Sequence, residues 1–122
     1  MPTIVHFDIA SDDPERAKKF YADLFGWSFE SVPAFQYNLF STTNPDGSPG
    51  VRGGLGKRMD PTQKITNYFG VLSIDAAMEQ VKKVGGTVIS PKMSVTGMGY
   101  LANCMDTEGN VFGLWEENAG AK

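Results

Sequence analysis

The chain has 122 residues, of which 41% are hydrophobic and 20% charged, and its formal net charge is −3. That balance describes one folded domain with a real core and excludes a disordered chain. The longest basic runs are the pairs Lys18-Lys19, Lys57-Arg58 and Lys82-Lys83, so no nucleic-acid partner is expected, because phosphate neutralisation needs clustered Lys and Arg.

Residues 3–10 read as a strand. Alternation puts His6, Asp8 and Ala10 on one face and Val5, Phe7 and Ile9 on the other. Asp13-Pro14-Glu15 is a helix start, with a capping carboxylate before a proline at the first helical position. Ala17, Phe20, Tyr21 and Leu24 recur at helical spacing, and Gly26 ends the helix. Strands are expected over 27–32, 35–41 and 50–55, with a turn at Asn44-Pro45-Asp46-Gly47 between the last two. Residues 57–63 form a linker broken by Pro61. A second series follows: a strand over 68–73, a helix capped by Asp75 and stopped by Gly85-Gly86, then strands over 87–89, 100–105 and 110–116. The run Met93 to Gly99 reads as a lid or an ordinary connecting loop. Phe7, Phe20, Phe25 and Phe112 are assigned to the core. Gly53-Gly54-Leu55-Gly56 lacks the ending of a phosphate loop and is expected to permit a bulge or close strand packing.

The two series are copies. Asp13 and Asp75 are 62 residues apart, and so are the turn glycines Gly47 and Gly109. Each copy is strand, helix, then three strands, so the chain reads as a single α+β domain of two βαβββ modules. Module one covers about residues 3–56 and module two about 64–117. Together they are expected to form a curved, half-open barrel around a pocket. His6, Asp8, Tyr68, Gly70, Gly113 and Trp115 fall on the pocket side. Only the first copy holds a histidine.

"HFDIASDDPERAKKFYADLFGW" and "DTEGNVFGLW" resemble proteins of the vicinal oxygen chelate superfamily, which includes glyoxalase I, bleomycin-resistance proteins and extradiol dioxygenases. The resemblance covers about residues 3–117 and is closest to a glyoxalase-like bacterial branch. It implies four positions for a divalent metal, one on the first and one on the last strand of each module. His6 matches the first. Tyr68, Gly113 and, by the 62-residue offset, Val51 stand at the other three, and none of them is a usual metal ligand. A site of His6 with Asp8 and Glu117 would be distorted, with Glu117 rather than Glu116 sharing the pocket parity. The cofactor is therefore none or a divalent metal, and enzyme activity is left open.

His6 has two further readings, as a polar contact or general base in the pocket and as a structural histidine bonded to Asp8. Tyr37, Tyr68, Tyr100 and Trp115 are candidates to stack on a flat ligand, as the resemblance to drug-binding relatives implies. The favoured function is a small-molecule-binding, glyoxalase-like protein with an incomplete metal site. A metal-dependent lyase, isomerase or dioxygenase and a partner-binding regulatory module are the alternatives. Relatives of this size imply a twofold homodimer. Cys104 excludes an internal disulfide and reads as a buried residue. With no signal-peptide pattern at the start and no span-length apolar stretch, the cytoplasm is the expected location and no membrane partner is expected.

Overall fold

The computed structural model describes residues 2–33 and 36–122. The expected start of the third strand at Phe35 lies outside the described residues. The elements run β1 (Ile4–Ser11), α1 (Pro14–Phe25), β2 (Phe29–Val32), β3 (Tyr37–Phe40), β4 (Arg52–Lys57), β5 (Thr66–Gly70), α2 (Ile74–Lys83), β6 (Thr87–Val88), β7 (Met93–Val95), β8 (Gly99–Met105) and β9 (Val111–Glu117). The fold is α+β. The chain divides into two compact units, the first formed by residues 6–66 and the second by residues 1–5 and 67–122.

In the first unit the strand order is β2-β3-β4-β1. β1 and β4 are parallel, whereas β2–β3 and β3–β4 are antiparallel. α1 starts where Asp13 accepts a hydrogen bond from the Arg16 amide at 3.2 Å, with Pro14 following at the first helical position. It stops at Gly26, whose φ of 73° is left-handed. The core on the helix side of the sheet is Ile9, Phe40 and Leu55, with Phe7, Ala17, Tyr21, Trp27 and Phe29 packed around it. Trp27 stacks on Phe40 at 4.4 Å and Phe7 meets Phe40 edge-on at 5.5 Å. Ala17 and Tyr21 are the α1 residues that reach this core. Phe20 and Phe25 do not belong to it, being 59% and 57% exposed. The helix turns its Ala17–Tyr21 ridge inward, and Phe20, about 100° round from Tyr21, is carried out to the flank.

The second unit repeats the order as β5-β9-β8-β6, again with its first and last strands parallel. Its core is Ile74, Ala102, Cys104 and Leu114, joined by Val71, Ala77, Met78, Val81, Val88, Tyr100 and Phe112. Cys104 is fully buried, and that burial pushes its thiol pKa up. The cap of α2 is Ser73, not Asp75. The Ser73 hydroxyl accepts from the Ala76 amide at 3.2 Å, and Asp75 lies inside the first turn. A second acceptor comes from β9, where Glu116 takes the Ile74 amide at 2.9 Å. Two of the amides that a helix start leaves without intrahelical partners are thus met by side chains. Residues 93–95 are a strand rather than an irregular loop: β7 pairs back on β8 from Val95↔Gly99 to Met93↔Leu101. No described helix is long and apolar enough to cross a membrane.

Candidate functional site

The register of the first unit decides which side chains share the face away from α1. Parallel pairing sets His6 beside Arg52 and Asp8 beside Gly54. Antiparallel pairing sets Leu39 beside Gly54 and Tyr37 beside Gly56. Because paired residues point the same way, His6, Asp8, Tyr37, Leu39, Arg52 and Gly54 form one face. Phe7, Ile9, Phe40 and Leu55 form the other.

On this face three side chains meet. His6 Nε2 lies 2.8 Å from Asp8 Oδ1 and 2.8 Å from Tyr37 Oη. The Tyr37 hydroxyl donates to the same Asp8 oxygen. The proton count follows from this arrangement. With its proton directed at the Asp8 carboxylate, Tyr37 Oη can only accept from His6, so His6 Nε2 is the protonated nitrogen, shared between the two oxygens. His6 and Asp8 are each about a quarter exposed, at 26% and 28%.

Tyr37 is on β3 and Asp8 on β1, with β4 between them. The phenol must therefore cross a whole strand, and two strand spacings amount to about 9.6 Å. Gly54 makes the crossing possible. A Cβ there would lie 1.7 Å from Tyr37 Oη and 1.9 Å from Cζ, so no other residue leaves the lane open. At this position the glycine run of β4 is thus not a bulge but a bed for an aromatic ring.

In the second unit Tyr68 pairs with Gly113 and Gly70 with Trp115, on the face away from α2. The Tyr68 ring lies over Gly113, where a Cβ would fall 2.0 Å from the ring, and Tyr68 is 9% exposed. Asn103, paired with Gly113, shares this face. Its Oδ1 is buried without a hydrogen-bond partner among the described residues. Tyr100 does not join these groups. It pairs with Glu116 on the α2 side, belongs to that core, and carries Lys92 Nζ 5.0 Å from its ring centroid.

The expected position of Val51 opposite His6 is corrected to Arg52. From turn glycine to paired strand residue, the chain runs from Gly47 to Arg52 in the first unit and from Gly109 to Gly113 in the second, one residue fewer. The extra residue sits where Asp46 accepts from both the amide and the hydroxyl of Ser48, and Asn44 binds the Ser48 hydroxyl and the Pro49 carbonyl. Those bonds hold the Asp46 carboxyl below its ordinary pKa.

The family-implied metal does not fit these donors. Arg52 is a cation, Gly113 has no side chain, and Glu116 is committed to the start of α2. Among the described residues no three His, Cys, Asp or Glu side chains gather into a group that could hold a metal. Two hollows open on the first unit. One, of about 420 Å³, is lined by Asp12, Arg58, Met59, Asp60 and Pro61, and the other, of about 320 Å³, borders Tyr37. Neither includes His6 or Asp8. The bonded cluster, rather than a hollow, marks the site.

The glyoxylase-like domain-containing protein of Didymella fabae is 32% identical to this chain over 114 residues, covering 88% of both proteins. The chain belongs to the glyoxylase-like family of the vicinal oxygen chelate superfamily. Residues 3–43 match the family model described as bleomycin resistance protein-like N-terminal. CFP32 of Mycobacterium bovis, named as a candidate glyoxylase, is 29% identical over 118 residues. That match covers 91% of this chain and 44% of CFP32, so the chain spans less than half of that longer relative. The fold is shared with a methylmalonyl-CoA epimerase solved with methylmalonyl-CoA and NH4+, at a TM-score of 0.70 and 15% identity over 100% of this chain and 99% of that one.

Proposed function

We propose that this glyoxylase-like protein binds a small molecule through the first unit's open face, with His6, Asp8 and Tyr37 as its polar contacts and no resident divalent metal. The observation that carries the reading is the closed proton arrangement of the cluster. His6 Nε2, a nitrogen that could otherwise meet a metal, is turned to Asp8 and Tyr37. A metal at Nε2 would have to displace the shared proton and break both contacts.

The chemistry of the cluster supports binding. Asp8 fixes the orientation of both the imidazole and the phenol, which reduces the entropy lost when a ligand meets them. Elemental analysis of protein purified without chelators tests the reading. Less than stoichiometric metal is expected, unchanged by His6→Ala. One tightly held divalent ion per chain, lost in His6→Ala, would overturn it.

A further inference from the structure

We infer that Arg52 is an oxyanion-binding residue and that the ligand of this face carries a carboxylate or phosphate group. The inference rests on the binding function proposed above and adds the chemical class of the ligand. Arg52 is the parallel-register neighbour of His6, so the two side chains leave adjacent strands on the same face, with backbones about 4.8 Å apart. The cluster's acid is already answered: Asp8 accepts from His6 and from Tyr37. Arg52 is not. It is exposed and enters none of the ion pairs or side-chain hydrogen bonds that the described residues form. The other carboxylate on this face, Glu30, pairs with Leu39 on β2, two strands from β4. Arg52 therefore brings guanidinium donors that no described side chain engages to a face where the nearest carboxylate oxygen, Asp8 Oδ1, is already hydrogen-bonded.

A planar guanidinium with five donors suits a two-oxygen anion, which it can grip with two parallel hydrogen bonds. Gly54, two residues along β4, leaves the neighbouring space without a side chain of its own, and Tyr37 floors it. A ligand with an anionic head at Arg52 could rest its body against that phenol.

Three compounds with one ring and different heads test this on the full chain: benzoate, phenyl phosphate and benzamide. In ¹H–¹⁵N correlation spectra, at least one of the two acids should shift the Arg52 side-chain signal and the His6 and Gly54 amides. Which acid does so distinguishes a carboxylate from a phosphate site. Benzamide should leave the Arg52 signal in place. Arg52→Gln should weaken acid binding at least about tenfold, as expected for loss of a charge-assisted contact, with Arg52→Lys retaining part of it. Equal shifts by benzamide, unchanged acid affinity in Arg52→Gln, or no response at Arg52 to either acid would overturn the inference. Benzamide acting as well as the acids at His6 and Tyr37 would remove the anion while keeping the binding function. A retained metal would remove the binding function whatever these titrations read.

Discussion

Gly54→Ala puts the geometry of the cluster to a quantitative test. Its Cβ would lie 1.7 Å from Tyr37 Oη, so the ring must move by about 2 Å to recover van der Waals contact. A shift of that size breaks the bonds from Tyr37 to Asp8 and His6, worth about 1 kcal/mol each at most in a half-buried setting. Overpacking adds about 1–3 kcal/mol, and the better strand preference of Ala returns about 0.5–1 kcal/mol. With both bonds counted in full, the expected net loss is about 2–4 kcal/mol. In a Tyr37→Ala background the obstacle is gone, and Gly54→Ala should be neutral or slightly stabilising. Urea denaturation of the four proteins of this cycle measures the coupling, with an unchanged slope confirming that the same surface unfolds. If Gly54→Ala costs the same within about 0.5 kcal/mol in both backgrounds, the ring does not lie on the glycine and the crossing described for Tyr37 is wrong.

Ser73→Ala should cost about 1 kcal/mol and Asp75→Ala only a few tenths, a ranking that urea midpoints will check and that Asp75 as the cap would invert. Asn103→Leu, close in shape, should leave stability unchanged or raise it by up to ~2 kcal/mol, because the amide oxygen it removes is buried without a partner among the described residues. A large loss would reveal a bond to that oxygen. The Cys104 thiol should react with iodoacetamide far more slowly in native protein than in urea. Its folded pKa is raised by burial, so its contribution to stability is fully present below the unfolded pKa and is lost as pH rises through the folded one. Relative to Cys104→Ala, wild type should therefore lose stability as the solution is made more alkaline than the ordinary thiol pKa; a pH-independent difference would count against burial as the cause.

Much of the architecture could be read from periodicity. Alternation alone put His6 and Asp8 opposite the helix, since two-residue spacing needs no tertiary information. The Asp13-Pro14 start of α1 was equally local. The features that escaped depend on neighbours distant in sequence. Tyr37 reaches Asp8 across 29 residues and an intervening strand, and only the register shows that Gly54 lies beneath it. Val51 stood in for Arg52 because an offset measured at the turns carries an extra residue into the strand. Ser73 and Asp75 compete for one cap within three positions, and both residue types suit it. Phe20 and Phe25 looked like core because their spacing is helical, but the orientation of α1 is set by how Ala17 and Tyr21 meet Trp27 and Phe29. β7 escaped because its three residues, Met93-Ser94-Val95, are too few to show an alternation, and its pairing comes from β8.

The ring of Tyr68 over Gly113 constrains how this chain could evolve. Polar side chains could be introduced at both positions in one order only. Gly113→Glu first would drive a Cβ to within 2.0 Å of the ring, whereas Tyr68→His first clears the space at the cost of a buried aromatic contact. Only the second path passes through a chain without that collision. The pair is sterically coupled: while the tyrosine lies on the bare glycine, the glycine cannot change alone.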